Sequence, residues 1–65
     1  MIVKLPYQDT YINLSKVEQI EKGIYGLLFY FNGRIQNCTY PEDKEDERHS
    51  DFDFFVDLWK DAILK

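Results

Sequence analysis

The side chains best suited to chemistry are eight carboxylates between residues 42 and 57. This stretch also contains Lys44 and Arg48, so its formal charge is −6, while the other residues sum to +2. Carboxylates at this density repel nucleic acid and anionic membranes and attract basic surfaces. We therefore expect a protein partner with a basic surface, no direct contact with nucleic acid and no membrane partner. The alternative is that the acids only keep a small protein soluble. The carboxylates are Glu42, Asp43, Glu45, Asp46, Glu47, Asp51, Asp53 and Asp57.

The residues that catalyse reactions in other proteins stand in unfavourable sequence contexts here. Nucleophilic catalysis needs a nucleophile and a base within hydrogen-bonding reach. His49 is the only histidine, and it lies in the charged stretch beside Ser50. Cys38 has no basic neighbour in sequence to lower the pKa of its thiol. A carboxylate acting as a general acid must be desolvated, and nothing apolar flanks residues 42–47. The sequence predicts a protein that is not an enzyme.

Metal binding has one partial pattern in the acidic stretch. Asp43, Glu45 and Glu47 alternate as ligands do in a calcium-binding EF-hand loop. Such a loop starting at Asp43 would need glycine and glutamate where this chain has Arg48 and Phe54. The three glycines form no phosphate-binding pattern. We expect neither a metal site nor a cofactor.

The clearest structural signal is a β-hairpin between Gly26 and Tyr40. Two β-prone runs flank Asn32-Gly33, the dipeptide preferred in two-residue type I′ turns. Such a turn fixes the register of the two strands. The predicted pairs are Phe31 with Arg34, Tyr30 with Ile35, and Leu28 with Asn37.

The two faces of this hairpin are both rich in apolar residues. Successive residues of a strand point to opposite sides, so each face can be read from the sequence. Because neither face is plainly polar, both are expected to need cover. One face carries Leu27, Phe29, Phe31, Cys38 and Tyr40, and the other carries Leu28, Tyr30 and Ile35.

The segment from Tyr11 to Lys22 is compatible with two structures. Ser15 and Glu18 match a capping box, which predicts a short helical turn. Alternatively, residues 11–14 and 17–22 are strands joined by a turn, and we prefer this second interpretation because it needs no long connections. Residues 2–5 then add an edge strand that Pro6 terminates.

The C-terminal segment predicts a helix over residues 50–65. Ser50 is a suitable N-cap, and nearby aspartates favour the positive end of the helix dipole. At about 100° per residue, one apolar stripe should face the core, and further apolar residues widen it sideways. The stripe contains Phe52, Phe55, Val56, Trp59 and Ile63, and the extension contains Phe54, Leu58 and Ala62.

These elements predict a small α+β fold, in which an antiparallel β-meander of three to five strands carries one C-terminal α-helix packed on it. The 65 residues suffice for a single domain, divided into a meander over 1–40, a charged loop over 41–49 and a helix over 50–65. The lone Cys38 excludes an internal disulfide. The first residues contain no apolar run long enough for a signal peptide, so we expect a cytoplasmic protein.

The segment Tyr11-Ile-Asn-Leu-Ser-Lys-Val-Glu-Gln-Ile20 resembles the Y-I-N-L-x-x-V-x-x-I phrase near the start of many short phage and bacterial reading frames. Some short flagellar-operon proteins look similar there too. The resemblance covers about ten residues, supports the strand-turn-strand start and implies no functional residue. In size, acidity and fold type the chain is similar to the accessory proteins with which phages block host machinery, including anti-CRISPR inhibitors. That similarity implies action in the host cytoplasm.

Two functions follow as hypotheses. The first is a non-enzymatic acidic protein-binding module, in which the acids and neighbouring apolar residues occupy a basic nucleic-acid-binding site on a larger host protein. The second is a structural homo-oligomer, possible as a homodimer, that associates through the apolar surface of the sheet and helix. The expected partner-binding residues are Glu42, Asp43, Glu45, Asp46, Glu47, Asp51, Asp53, Phe54, Asp57 and Leu58.

Overall fold

The structure, a computed structural model, describes residues 1–64 as five strands, two short 3₁₀ turns and one α-helix. Strands β1 and β2 form an antiparallel hairpin, and β3, β4 and β5 form a separate antiparallel sheet in that order. The predicted α+β class with a single C-terminal helix is therefore confirmed. The bounds are β1 Ile2–Lys4, β2 Tyr11–Asn13, β3 Gln19–Lys22, β4 Gly26–Phe31, β5 Arg34–Thr39 and α1 Glu45–Ile63, with 3₁₀ turns at Leu14–Lys16 and Glu42–Lys44.

The β4–β5 hairpin has the predicted turn and register. Asn32 and Gly33 adopt φ angles of 47° and 79°, as a type I′ turn requires. The three predicted cross-strand pairs are all present. A Cβ atom on Gly26 would lie 2.1 Å from the carbonyl oxygen of Cys38, so this position at the start of β4 requires glycine.

The segment between residues 11 and 22 combines the two predicted structures. Strands occupy both ends, and a 3₁₀ turn over Leu14–Lys16 joins them. The predicted capping box is absent, because the turn is capped by Asn13, whose Oδ1 accepts the Ser15 N–H at 3.0 Å. Glu18 instead accepts the backbone N–H of Asn32 at 2.6 Å and so holds the tip of the β4–β5 hairpin.

The core lies between α1, the β1–β2 hairpin and one face of the three-stranded sheet. The sheet contributes Leu27, Phe29 and Cys38, and Tyr40 follows β5; all four are buried and belong to one predicted face. The hairpin and first 3₁₀ turn contribute Leu5, Ile12, Leu14 and Val17, and α1 contributes Phe55. The opposite sheet face is less covered, and Ile35 on that face is 55% exposed.

The charged loop predicted over residues 41–49 is wrong, since α1 begins at Glu45 rather than at Ser50. The acids of the first turn lie at the positive end of the helix dipole, where they stabilise the helix, and glutamate is a good helix former. Arg48 anchors this turn to the sheet. The residue is 7% exposed and its guanidinium donates to the carbonyl of Gly23. Ser50 therefore lies inside the helix and caps nothing.

The apolar stripe of α1 packs on the core with a small rotation from the predicted face. Phe55 is buried, and Trp59 is partly buried with its Nε1 donating to the carbonyl of Val17 at 2.9 Å. Leu58 also packs against the core, whereas Ile63 is half exposed. Within residues 1–64, no helix is both long and apolar enough to cross a membrane.

Candidate protein-binding site

The outward face of α1 carries a row of aspartates, here called the acidic stripe: Asp46, Asp53, Asp57 and Asp61. At about 100° per residue these positions fall within one narrow sector opposite the buried residues, and all four are exposed. Among the described residues, none of the four takes part in a side-chain hydrogen bond or an ion pair. At 1.5 Å per residue, the stripe extends about 22 Å along the helix. It is a solvated, rigidly spaced row of negative charges.

Asp61 is the member of the acidic stripe that the sequence analysis missed. It lies beyond the acidic window of residues 42–57, and the expected partner-binding residues do not include it. The available signal was its spacing from Asp57, because residues four apart on a helix are neighbours on one face.

The predicted acids Glu42 and Asp43 lie at the start of the helical region. They occupy the 3₁₀ turn that precedes α1, and both are exposed. In the described part of the chain neither is hydrogen-bonded through its side chain or paired with a cation. They extend the negative surface beyond the N-terminal end of the helix.

Two other predicted acids, Glu47 and Asp51, each accept a hydrogen bond from a tyrosine hydroxyl. The Oη of Tyr7 donates to Glu47 Oε2 at 2.7 Å, and the Oη of Tyr40 donates to Asp51 Oδ2 at 2.7 Å. The two rings meet edge to face with centroids 5.3 Å apart. These contacts attach α1 to the strands, so both carboxylates contribute to the fold.

The pKa values of the two tyrosine hydroxyls are both raised, and the hydrogen-bonded carboxylates contribute to each shift. The hydrogen bond to Glu47 is the largest of the effects that raise the pKa of Tyr7 to about 12. Burial is the main cause of the raised pKa of Tyr40, and the hydrogen bond to Asp51 adds to it. Both hydroxyls therefore remain protonated donors at neutral pH.

Glu45 belongs to a polar chain at the N-terminal end of α1. Its Oε1 lies 3.7 Å from Arg48 Nη2 and 3.5 Å from His49 Nε2. Lys22 Nζ lies 2.8 Å from His49 Nδ1. A lysine ammonium carries donors only, so His49 Nδ1 is the acceptor of this contact. No hydroxyl or thiol among the described residues hydrogen-bonds to these polar side chains. Their contacts position the helix against β3.

The apolar members of the predicted site lie on one flank of the acidic stripe. Phe54 is 56% exposed and its ring meets that of Phe55 with centroids 5.7 Å apart. Leu58, one turn further along, is partly buried against the core. Phe54 is therefore the larger apolar surface available beside the stripe.

Cys38 has the properties of a structural thiol. It is buried, and burial is the main cause that raises its pKa to about 11. Its Sγ donates to the carbonyl of Pro6 at 3.4 Å, which ties the β1–β2 turn to β5. Across residues 1–64, no group of three His, Cys, Asp or Glu side chains is placed to hold a metal ion.

Comparison of the chain with protein-family models, with curated proteins and with solved structures finds no match.

Proposed function

We propose that this protein is a non-enzymatic acidic protein-binding module that occupies a basic surface of another protein. The observation that carries the proposal is the acidic stripe, whose carboxylates share one outward helix face and have no partners among residues 1–64. Glu42 and Asp43 extend the contact at one end, and Phe54 with Leu58 adds an apolar flank. The contacts of Glu45, Glu47 and Asp51 with other side chains hold the helix in place.

The mechanism in this proposal is steric and electrostatic competition. Carboxylates fixed on a helix lose little conformational freedom on binding, so the row can engage lysines and arginines at low entropic cost. Complementary charge also accelerates the encounter of the two proteins. The target we propose is a host protein that holds nucleic acid with those basic residues, and the chain then acts in the host cytoplasm as a phage-encoded inhibitor of the anti-CRISPR type.

A capture experiment with matched charge variants tests this function. The test variant combines Asp53→Asn with Asp57→Asn, and the control combines Asp9→Asn with Glu21→Gln. Both remove two negative charges, but only the first removes them from the acidic stripe. Each tagged protein is incubated with host lysate, with and without a mixed-sequence single-stranded oligonucleotide.

The proposal predicts a protein retained by the parent and the control, lost from the test variant and displaced by the oligonucleotide. Retention of the same proteins by all three forms would contradict it. Circular dichroism of both variants first establishes that they are folded.

A homo-oligomeric function is the second candidate, because the outer face of the three-stranded sheet is incompletely covered. Leu28 and Tyr30 on that face are partly exposed, and Ile35 is 55% exposed. A chain of this length often completes its core with a second copy. Light scattering at micromolar concentration distinguishes the two functions, since apolar self-association gives more than one chain per particle and persists at high salt.

A further inference from the structure

A groove of about 380 Å³ separates the β1–β2 hairpin from the start of β5. Its walls are β2 and the first residues of β5, and neither strand has a neighbour on this side within the described part of the chain. Phe31 and the exposed Tyr11 contribute apolar surface to it. The volume lies in the range of about 300–1,000 Å³ typical of ligand sites.

The β5 wall presents unpaired backbone groups at Ile35. In a two-residue hairpin the closing pair, here Phe31 and Arg34, exchanges hydrogen bonds, and the direction then alternates along the strand. The N–H and C=O of Ile35 and Asn37 therefore point away from β4. Gln8 Nε2 donates to the carbonyl of Asn37 at 3.4 Å, which agrees with this direction and closes the far end of the edge. Ile35 remains open to the groove.

The opposite wall presents unpaired backbone groups at Tyr11. Leu5 donates to the carbonyl of Thr10 and Leu14 donates to the carbonyl of Met1, so even-numbered residues of β2 bond to β1. Tyr11 therefore directs its N–H and C=O away from β1 and toward the groove. Two strand edges thus border one cavity, and such edges accept an added strand.

The charge of the groove is opposite to that of the whole molecule. Lys16 and Arg34 line it, no acidic residue does, and the chain carries a net charge of −4. Arg34 is held in place over the ring of Phe31, with 5.4 Å between its Cζ and the ring centroid. Within residues 1–64, neither cation forms an ion pair. An incoming segment with carboxylates would therefore find two available cations.

We propose that this groove binds an extended acidic peptide segment of a partner protein by β-strand addition. The segment hydrogen-bonds through its backbone to Ile35, places alternate apolar side chains against Phe31 and Tyr11, and directs carboxylates to Lys16 and Arg34. This site is independent of the acidic stripe, because it selects a partner of opposite charge.

The test uses the full-length protein labelled with ¹⁵N and a six-residue peptide of alternating valine and glutamate. We expect chemical-shift changes confined to the two walls of the groove and slower amide hydrogen exchange at Ile35. The control peptide alternates valine and lysine and should not bind. Shift changes elsewhere, or equal binding of both peptides, would overturn the proposal.

Two variants locate the binding to the groove. Arg34→Glu should weaken binding of the acidic peptide at least tenfold, whereas Lys60→Glu makes the same charge change on α1 and should leave it unchanged. Ile35→Pro removes an outward N–H without removing a bond to β4, and it should also abolish binding if the variant remains folded. Equal affinities of the Arg34 and Lys60 variants would overturn the proposal. The Ile35 amide could also exchange more slowly as the protein concentration rises in the absence of peptide. That result would identify a second copy of the chain as the occupant of the groove and would overturn the proposal.

Discussion

At the scale of the residue, acids that look alike in the sequence have different functions in the structure. Glu47 and Asp51 each accept a hydrogen bond from a tyrosine at 2.7 Å. Asp53 and Asp57 face solvent on the other side of the same helix. Because helix periodicity separates them, charge counting alone does not distinguish a carboxylate that accepts a hydrogen bond within the fold from one that is exposed to solvent.

The Tyr7–Glu47 hydrogen bond gives stability a defined dependence on alkaline pH. The folded-state pKa of Tyr7, about 12, exceeds its ordinary value of 10.0. The contribution of this hydrogen bond to the free energy of unfolding is therefore complete below pH 10 and is lost as the pH rises through about 12. We expect the difference in urea midpoint between the parent and Tyr7→Phe to shrink from pH 9 to pH 12. A difference that stays constant over this interval would show that the phenol and Glu47 are not coupled.

Trp59 tests the facing of α1 toward the core. Its ring packs against the core and its Nε1 donates to the carbonyl of Val17. Trp59→Ala should lower the free energy of unfolding by about 3 kcal/mol, as truncation of a large core aromatic does. Phe54→Ala, at a half-exposed position, should cost less than about 1 kcal/mol. Equal losses in urea unfolding would place the core on a different face of the helix.

At the scale of the element, local signals predicted β4, β5 and their turn, because Asn32-Gly33 and β-prone flanks agree with one another. They did not predict the start of α1. The acids of residues 42–47 were interpreted as a solvated loop, whereas the helix dipole and the anchoring of Arg48 on the sheet stabilise a helix there. That anchor joins residues distant in sequence, so it becomes visible only once the sheet is formed.

The start of α1 can be tested by Ser50→Ala. A helix that begins at Glu45 and a helix capped by Ser50 predict stability changes of opposite sign for this substitution. With the helix starting at Glu45, Ser50→Ala replaces an exposed interior residue and should raise stability by about 0.5 kcal/mol. Loss of an N-cap would instead lower stability by about 1 kcal/mol. Lys44→Ser adds a capping hydroxyl at the observed N-cap, which has no side-chain cap, and should stabilise by about 1 kcal/mol. Urea unfolding of both variants measures these signs.

At the scale of the whole molecule, charge is separated between two surfaces. The acidic stripe and the residues before α1 concentrate negative charge, while the groove between β2 and β5 contains only basic charges. The sequence predicted the acidic region by composition. It gave no sign of the groove, because the groove depends on how the β1–β2 hairpin lies against the sheet rather than on any run of residues.

The measurement that tests the central proposal most directly is the association rate with the purified partner at low and high salt. The Asp53→Asn and Asp57→Asn variant should associate at least about tenfold more slowly in low salt and show a flatter salt dependence, since exposed charges mainly steer the encounter. The Asp9→Asn and Glu21→Gln control should retain the parent rate. If the stripe variant associates at the parent rate in low salt while Phe54→Asp abolishes binding, the contact is apolar and the electrostatic mechanism is contradicted.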